Sequence, residues 1–220
     1  MTTDDAERPT VGELQRTLGQ TDIYLIDQLL RGRIEPGGAV LDAGCGAGRN
    51  AQFFLRAGFD LCAVDHDPER VALFRERARE LAPDWPAENA SVGELTALPY
   101  ASGRFDLVLA IAVLHFVSGP EAFRAGLDEL WRVLAPGGLL FVRLASSIGL
   151  EERVVPLGDG RYRIPDGTDR FLVDEAMLLE ETKRLGATLL DPIKTSNVQG
   201  LRCMTTWVLG RDGARGSGAR

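Results

Sequence analysis

The sequence predicts an α/β protein built on a doubly wound sheet of seven strands, mostly parallel, with an antiparallel final edge strand. Three observations carry that expectation. Short apolar runs alternate with amphipathic helical patterns along most of the chain, the order that a parallel sheet with helices on both faces requires. The run "FDLVLAIAV" (105–113) is too continuously apolar for a sheet face exposed to water. The last two strand candidates have no helix between them, so they can pair antiparallel at one edge.

Taken in order, residues 11–33 give two short helical patterns. In the second, "TDIYLIDQLLRGRI", Ile23, Ile26, Leu29 and Leu30 share one side at helical spacing. "GGAVLDAG" is a buried strand, and "RNAQFFLRAG" a helix closed by Gly58. "FDLCAVD" is the next strand. Asp67 and Pro68 then supply the N-cap and first residue of "PERVALFRERARELA". "ENASVGE" is a weaker strand and "FDLVLAIAV" a strong one. "GPEAFRAGLDELWRVL" is an amphipathic helix ended by the turn "APGG", and "LLFVRLA" another apolar strand. Residues 146–171 are irregular and long for a connection, with an Asp-Gly turn between the strand-like arms of "VVPLGDGRYRIP". "VDEAMLLEETKRLG" is a helix stopped by Gly186, and "ATLLDPIKT" and "LRCMTTWVLG" are the closing strands.

Length and composition set the outer limits. With 220 residues, 45% apolar and 26% charged, the chain suits a single domain over 1–220, with disordered ends at 1–10 and 211–220. A net charge of −7 argues against general affinity for nucleic acid or anionic membranes. No apolar run is long enough to span a bilayer, and the start "MTTDDAERPT" has no signal-peptide pattern, so a cytoplasmic location is expected. Three widely spaced cysteines and two distant histidines offer neither a disulfide framework nor a metal site.

The chemistry concentrates in "VLDAGCGAGRN" (40–50), where a strand runs into a glycine-rich turn and then a helix. Such a turn usually cradles a nucleotide at the carboxyl ends of the strands. Dinucleotide sites prefer G-x-G-x-x-G, but here Arg49 replaces the third glycine. Asp42 adds a charge argument, since a carboxylate beside the turn repels a pyrophosphate. It suits S-adenosylmethionine, which carries an ammonium and a sulfonium and no phosphate. Asp65, ending the second strand, can accept hydrogen bonds from both ribose hydroxyls, a feature shared with NAD sites. Asp42 can also be read as a strand-end acid that is solvated or caps the next helix, and Asp65 as an Asx turn before Pro68.

Four stretches, "VLDAGCGAGRN", "AVDHDPERV", "VGELTALPYASGRFDLVLAIAVLHFV" and "ELWRVLAPGGLLFVRL", resemble successive motifs of the class I S-adenosylmethionine-dependent methyltransferases. The Gly48-Arg49-Asn50 ending is similar to that of the tellurite- and thiopurine-type enzymes. The resemblance runs from about residue 38 to 145 and implies a Rossmann-like fold. It implies that Asp42, Gly44 and Gly46 line the methionine moiety, with Cys45 and Asn50 of the same turn beside them. Asp65 would hold the ribose, His66 would flank the adenine, and Glu94 and Leu95 would meet its edge. Many relatives carry Asp where Glu94 stands. Ala110 and Ile111 would offer backbone oxygens, and Tyr24 would close over the cofactor unless it only anchors its helix.

Methyl transfer from a sulfonium is an in-line displacement, served chiefly by positioning and water exclusion. His115, after the fourth strand, is a candidate general base or a packing residue beneath the cofactor. Arg143, near the end of "LLFVRLA", either pairs with an acid of the irregular segment that follows or meets an anionic acceptor. No Asn/Asp-Pro-Pro-aromatic motif follows the fourth strand and no Pro-Cys pair is present, which favours a small-molecule acceptor over nucleic acid. The segment 146–171 is expected to be a lid, its Arg153, Arg161, Arg163 and Arg170 either favouring an anionic acceptor or pairing with nearby acids. Two rival readings are a non-catalytic cofactor-binding protein and an NAD-dependent oxidoreductase. The acceptor, the methylated atom and the oligomeric state stay open.

Overall fold

Capping residues and glycine stops divide the chain much as the pattern requires. The computed structural model describes residues 10–213. The expected disordered ends at 1–9 and 214–220 lie outside the described residues, and the described chain corrects the rest of that expectation. Thr10 caps α1 (Val11–Leu18) in a reciprocal box with Glu13, and Arg211 is the last residue of the final strand. Asp22 caps α2 (Ile23–Leu30), its Oδ1 accepting from Tyr24 N at 3.0 Å. β1 (Ala39–Ala43), α3 (Gln52–Arg56) and β2 (Asp60–Asp65) follow. Asp67 caps α4 (Pro68–Leu81) as expected, accepting from Glu69 N at 2.8 Å. Such a cap is worth about 1 kcal/mol.

The chain continues through β3 (Ala90–Val92), β4 (Phe105–Ile111), α5 (Pro120–Val133) and β5 (Leu134–Ser146). "APGG" does not form a separate turn; β5 starts at Leu134, and the irregularity appears as a register shift against β4 between Phe105 and Leu107. The segment after β5 forms β6 (Val155–Gly158), β7 (Arg161–Arg163) and β8 (Asp169–Phe171), a small antiparallel sheet. Asp159 (φ 51°) and Gly160 (φ 68°) make the β6–β7 turn, both in the left-handed region that a two-residue hairpin favours. α6 (Glu175–Arg184) follows, then β9 (Ala187–Leu189), β10 (Lys194–Val198) and β11 (Arg202–Arg211).

The run expected as one strand over 187–195 is two. Pro192 has no N–H to give a ladder. Its neighbour Asp191 is drawn inward, accepting from Gln28 Nε2 at 2.9 Å and pairing with Arg33 at 2.9 Å. The chain therefore leaves the sheet after β9 and re-enters as β10.

The strand order is β10-β11-β5-β4-β1-β2-β3, with β9 also pairing to β11. β3, β2, β1, β4 and β5 are mutually parallel, and β11 runs antiparallel to β5, β9 and β10. Both faces are covered. On one, Phe123, Leu127 and Leu130 of α5 and Leu178 of α6 pack on Leu41, Val142 and Trp207. On the other, Leu25, Phe54, Val71 and Phe74 pack on Val40, Leu61 and Phe141. No helix among the described residues is long and apolar enough to cross a membrane, and no group of metal-binding side chains is found among them.

Candidate active site

At the carboxyl end of β1 the backbone must reverse within a few residues, and Gly44 (φ 74°) and Gly46 (φ 52°) allow it. The turn is pinned to β2 by Gly44 N and Cys45 N, which both donate to Val64 O, at 2.8 and 3.1 Å. The two glycines differ in their surroundings. A β-carbon on Gly44 would lie 2.5 Å from Val113 Cγ2, whereas one on Gly46 would meet nothing within 4 Å. Gly46 therefore keeps open a backbone surface that a ligand can approach.

Asp42 precedes this turn at 1% exposure, and its Oδ2 has no hydrogen-bond partner. Burial, reinforced by the charge of Asp65 and opposed by Arg49, pushes its carboxyl up to about 7. A buried carboxylate oxygen without a partner is costly. A cation placed beside it would remove that cost. Asp42 does not cap a helix. The neighbouring Cys45 thiol is raised by burial and by both aspartates, so it stays protonated.

Asp65 is held at the end of β2 by two backbone donors, Gly46 N to Oδ2 at 2.8 Å and Asp67 N to Oδ1 at 3.1 Å. The first bond couples the ribose candidate to the glycine turn, and the second is the Asx-type contact the sequence allowed. Asp65, His66, Glu94 and Leu95 line one cleft with Gly44, Val64, Gly93 and Val113, of about 60 Å³. Three larger cavities touch none of the expected site residues: two, of about 200 and 400 Å³, open at the opposite, amino-terminal ends of the strands, and one of about 340 Å³ is lined by Ile148, Leu179 and Ile193. The chemistry lies at the smaller one, where the carboxylates and the glycine turn converge.

The fourth strand ends beside the same turn. Ile111 is its last residue, and Ala110 is paired with Val142 of β5. Ala112 takes φ 58°, unusual for a residue with a side chain, and its N–H donates to Arg143 O at 2.7 Å. That reversal sets Val113 over Gly44 and leads into the short turn Leu114–Phe116 that carries His115. Strain of this kind clusters where a site fixes its backbone.

His115 does not fit the base role. β4 has ended, and Ala145 N, beyond the last residue that β5 pairs with β4, donates to His115 Nδ1 at 3.1 Å. Nδ1 is therefore the acceptor and the proton sits on Nε2, so the neutral ring donates outward and has no free lone pair for a second proton. Burial and the nearby Arg170 push the imidazole down to about 4.

Arg143 pairs with an acid, but with one the sequence did not suggest. Its Nη1 donates to Asp22 Oδ2 at 2.6 Å, across 121 residues of chain. The guanidinium also lies over the Tyr24 ring at 5.2 Å, and Tyr24 Oη shares a 2.7 Å hydrogen bond with Ser196 Oγ. Asn50, expected at the cofactor, uses Oδ1 to accept from Asp22 N at 3.0 Å. Asp22, Asn50, Tyr24 and Arg143 thus tie α2 to the glycine turn and to β5. Asp22 gave no sequence signal beyond that of a helix cap. In the small sheet, Arg163 is taken up by Asp169 through two bonds of 2.8 and 3.1 Å. Arg170 instead lies over Phe116 at 4.7 Å.

Known proteins are similar to this chain in sequence and in fold. Residues 41–142 match a family model described as a methyltransferase domain. A malonyl-[acyl-carrier protein] O-methyltransferase of Pectobacterium atrosepticum is 31% identical over 159 residues, covering 72% of this chain and 54% of that protein. A ubiquinone biosynthesis O-methyltransferase of Xanthomonas axonopodis pv. citri is 34% identical over 143 residues, covering 60% and 58%. The chain thus spans a little over half the length of these curated relatives. A SAM-dependent methyltransferase from Methanosarcina mazei shares the fold, with a TM-score of 0.69 at 18% identity over 84% of this chain and 97% of that one. Residues 41–142 form a methyltransferase domain. Together these matches support the class I S-adenosylmethionine-dependent methyltransferase superfamily for that domain.

Proposed function

We propose that the chain is a methyltransferase that binds S-adenosylmethionine and acts on a small-molecule acceptor. The observation that carries the reading is the buried, unpartnered Oδ2 of Asp42 beside a glycine turn whose Gly46 is open to approach. That charge suits a cationic cofactor and repels a pyrophosphate. The relatives named above, both O-methyltransferases, add independent support.

In this reading Asp42 and the Gly44–Gly46 backbone hold the methionine part, and Asp65 accepts from the ribose. His66, Glu94 and Leu95 border the adenine, and the carbonyl end of β4 completes the site. Bound there, the cofactor supplies an electrophilic methyl group on a positively charged sulfur. The protein's part is positioning and water exclusion. Val113 walls the cleft, α2 covers it through Tyr24, and the β6–β8 sheet caps the acceptor side. His115 orients β5 through Ala145 and presents an N–H, while deprotonation of the acceptor, where needed, falls to another group or to solvent. The three cysteines are free and buried, which suits a reducing, cytoplasmic setting.

Calorimetry tests the cofactor assignment. S-adenosylhomocysteine and S-adenosylmethionine should bind, and NAD should not; preferential binding of NAD would overturn it. The cap is tested by replacing Leu157–Arg163 with a Gly/Ser linker. Binding of S-adenosylhomocysteine should change little while turnover collapses, and retained turnover would remove the lid role.

A further inference from the structure

Three buried side-chain atoms among the described residues lack a hydrogen-bond partner: Asp42 Oδ2, Arg143 Nε and Thr206 Oγ1. The first belongs to the cofactor site. The other two are not scattered, because Thr206 of β11 is the registered cross-strand partner of Arg143 on β5. Directly opposed residues project to the same face of a sheet, with β-carbons about 5 Å apart. Two unmet polar groups therefore share one spot, at the carboxyl end of β5 and beside α2.

The guanidinium's own bonding defines what fits there. Nη1 is committed to Asp22, while Nη2 makes no hydrogen bond and is not buried with Nε. Arg143 as a whole keeps 19% of its side chain exposed. What stays unbonded is the side edge of the fork, the buried Nε–H with Nη2–H, whose two parallel donors match the two oxygens of a carboxylate. The cation–π contact with Tyr24 and the ion pair with Asp22 hold the guanidinium plane in place. This is a preformed planar fork rather than a mobile surface charge.

We propose that the methyl acceptor carries a carboxylate, received by the Nε/Nη2 edge of Arg143 with Thr206 Oγ1 behind it. The proposal rests on the methyltransferase reading and names the acceptor class for that site. A carboxylate could also come from the methionine part of the cofactor, and the experiment separates the two sources. The protein is saturated with S-adenosylhomocysteine and titrated with benzoate and octanoate, and with the neutral benzamide and octanamide. The wild type should bind a carboxylate about tenfold or more tightly than its amide, the scale of one charge-assisted contact. Arg143→Lys keeps a positive charge for Asp22 but loses the fork. With its melting temperature near that of the wild type, it should erase the preference and leave the affinity for S-adenosylhomocysteine unchanged. Thr206→Val, close in shape, should reduce the preference without abolishing it.

Equal binding of acids and amides, or no binding of any probe, would overturn the proposal while leaving the cofactor reading intact. If Arg143→Lys weakens S-adenosylhomocysteine more than tenfold and spares the probe preference, the fork holds the methionine carboxylate and the acceptor assignment falls. A wild-type protein that binds no S-adenosylhomocysteine would remove the methyltransferase reading and this proposal together.

Discussion

The two halves of the site are built in opposite ways. The half proposed for the cofactor, around β1, β2 and the cleft beside Asp65, is made of contacts of shorter span: Asp65 accepts from Asp67 N, two residues on, and from Gly46 N, 19 residues back. The acceptor half is assembled from residues far apart in the chain, with Arg143 bonded to Asp22, Tyr24 to Ser196 and Asn50 to Asp22. One half concentrates unpaired negative charge at Asp42, and the other leaves positive and neutral donors open at Arg143 and His115. Under the proposed reading, a cationic cofactor and an electron-rich acceptor are each met by the complementary sign.

The sharpest way to break that comparison is Asp42→Asn. Removing the charge should weaken S-adenosylmethionine by about a hundredfold or more, the scale of losing one member of a buried charge pair. The same change should raise the melting temperature of the cofactor-free protein. Because burial raises the Asp42 carboxyl from its ordinary range to about 7, the folded state loses stability as pH rises between those values. Binding of a cation favours the ionised form, so cofactor affinity should increase with pH until about 7 and level off above it. In the Asn variant that slope should vanish. A variant that binds normally, or melts lower with its pH slope retained, would remove Asp42 from the site.

Asp65→Ala comes next. Loss of charge-assisted bonds to the ribose should cost about 10- to 150-fold in cofactor affinity. The substitution also strips Gly46 N and Asp67 N of their acceptor, so a drop in melting temperature should accompany it. Circular dichroism must show the variant folded, and an unchanged affinity would assign the ribose elsewhere.

The smallest effect is expected at His115. Asn at that position can still present an oxygen to Ala145 N, so His115→Asn should lower turnover less than about tenfold, the scale of one neutral hydrogen bond. The pH–rate profile between 6 and 8 should keep its shape. A loss of a thousandfold, or of an ionisation from that profile, would restore the base.

What could be read from the sequence divides along the same line. The glycine turn, Asp42, Asp65 and the Asp67-Pro68 cap are local, so short-range rules of backbone geometry and charge reached them. The roles of Arg143 and His115 depend on what lies across the sheet. Residue type marked both as notable, but only the ladder shows that β4 stops before Ala145 and leaves its N–H to His115. Asp22 lay unmarked in the stretch read as the second helix, and Thr206 was one more residue of a strand. The split of 187–195 into β9 and β10 was signalled by Pro192, whose effect depends on Asp191 finding Arg33 and Gln28.

The small sheet over the acceptor side has one further property. The chain leaves the main sheet at Ser146 and returns at Val173, and these two residues form a parallel bridge, with Ser147 N donating to Val173 O at 2.9 Å. Exit and entry are therefore neighbours, and everything between them is a closed excursion. Lengthening or exchanging such an excursion adds only a slowly growing loop-closure cost and leaves the register of β4, β5 and β11 untouched. In its proposed role as the acceptor cap, the segment 147–172 is an exchangeable cassette, through which new acceptor preferences can be acquired without rebuilding the cofactor cleft.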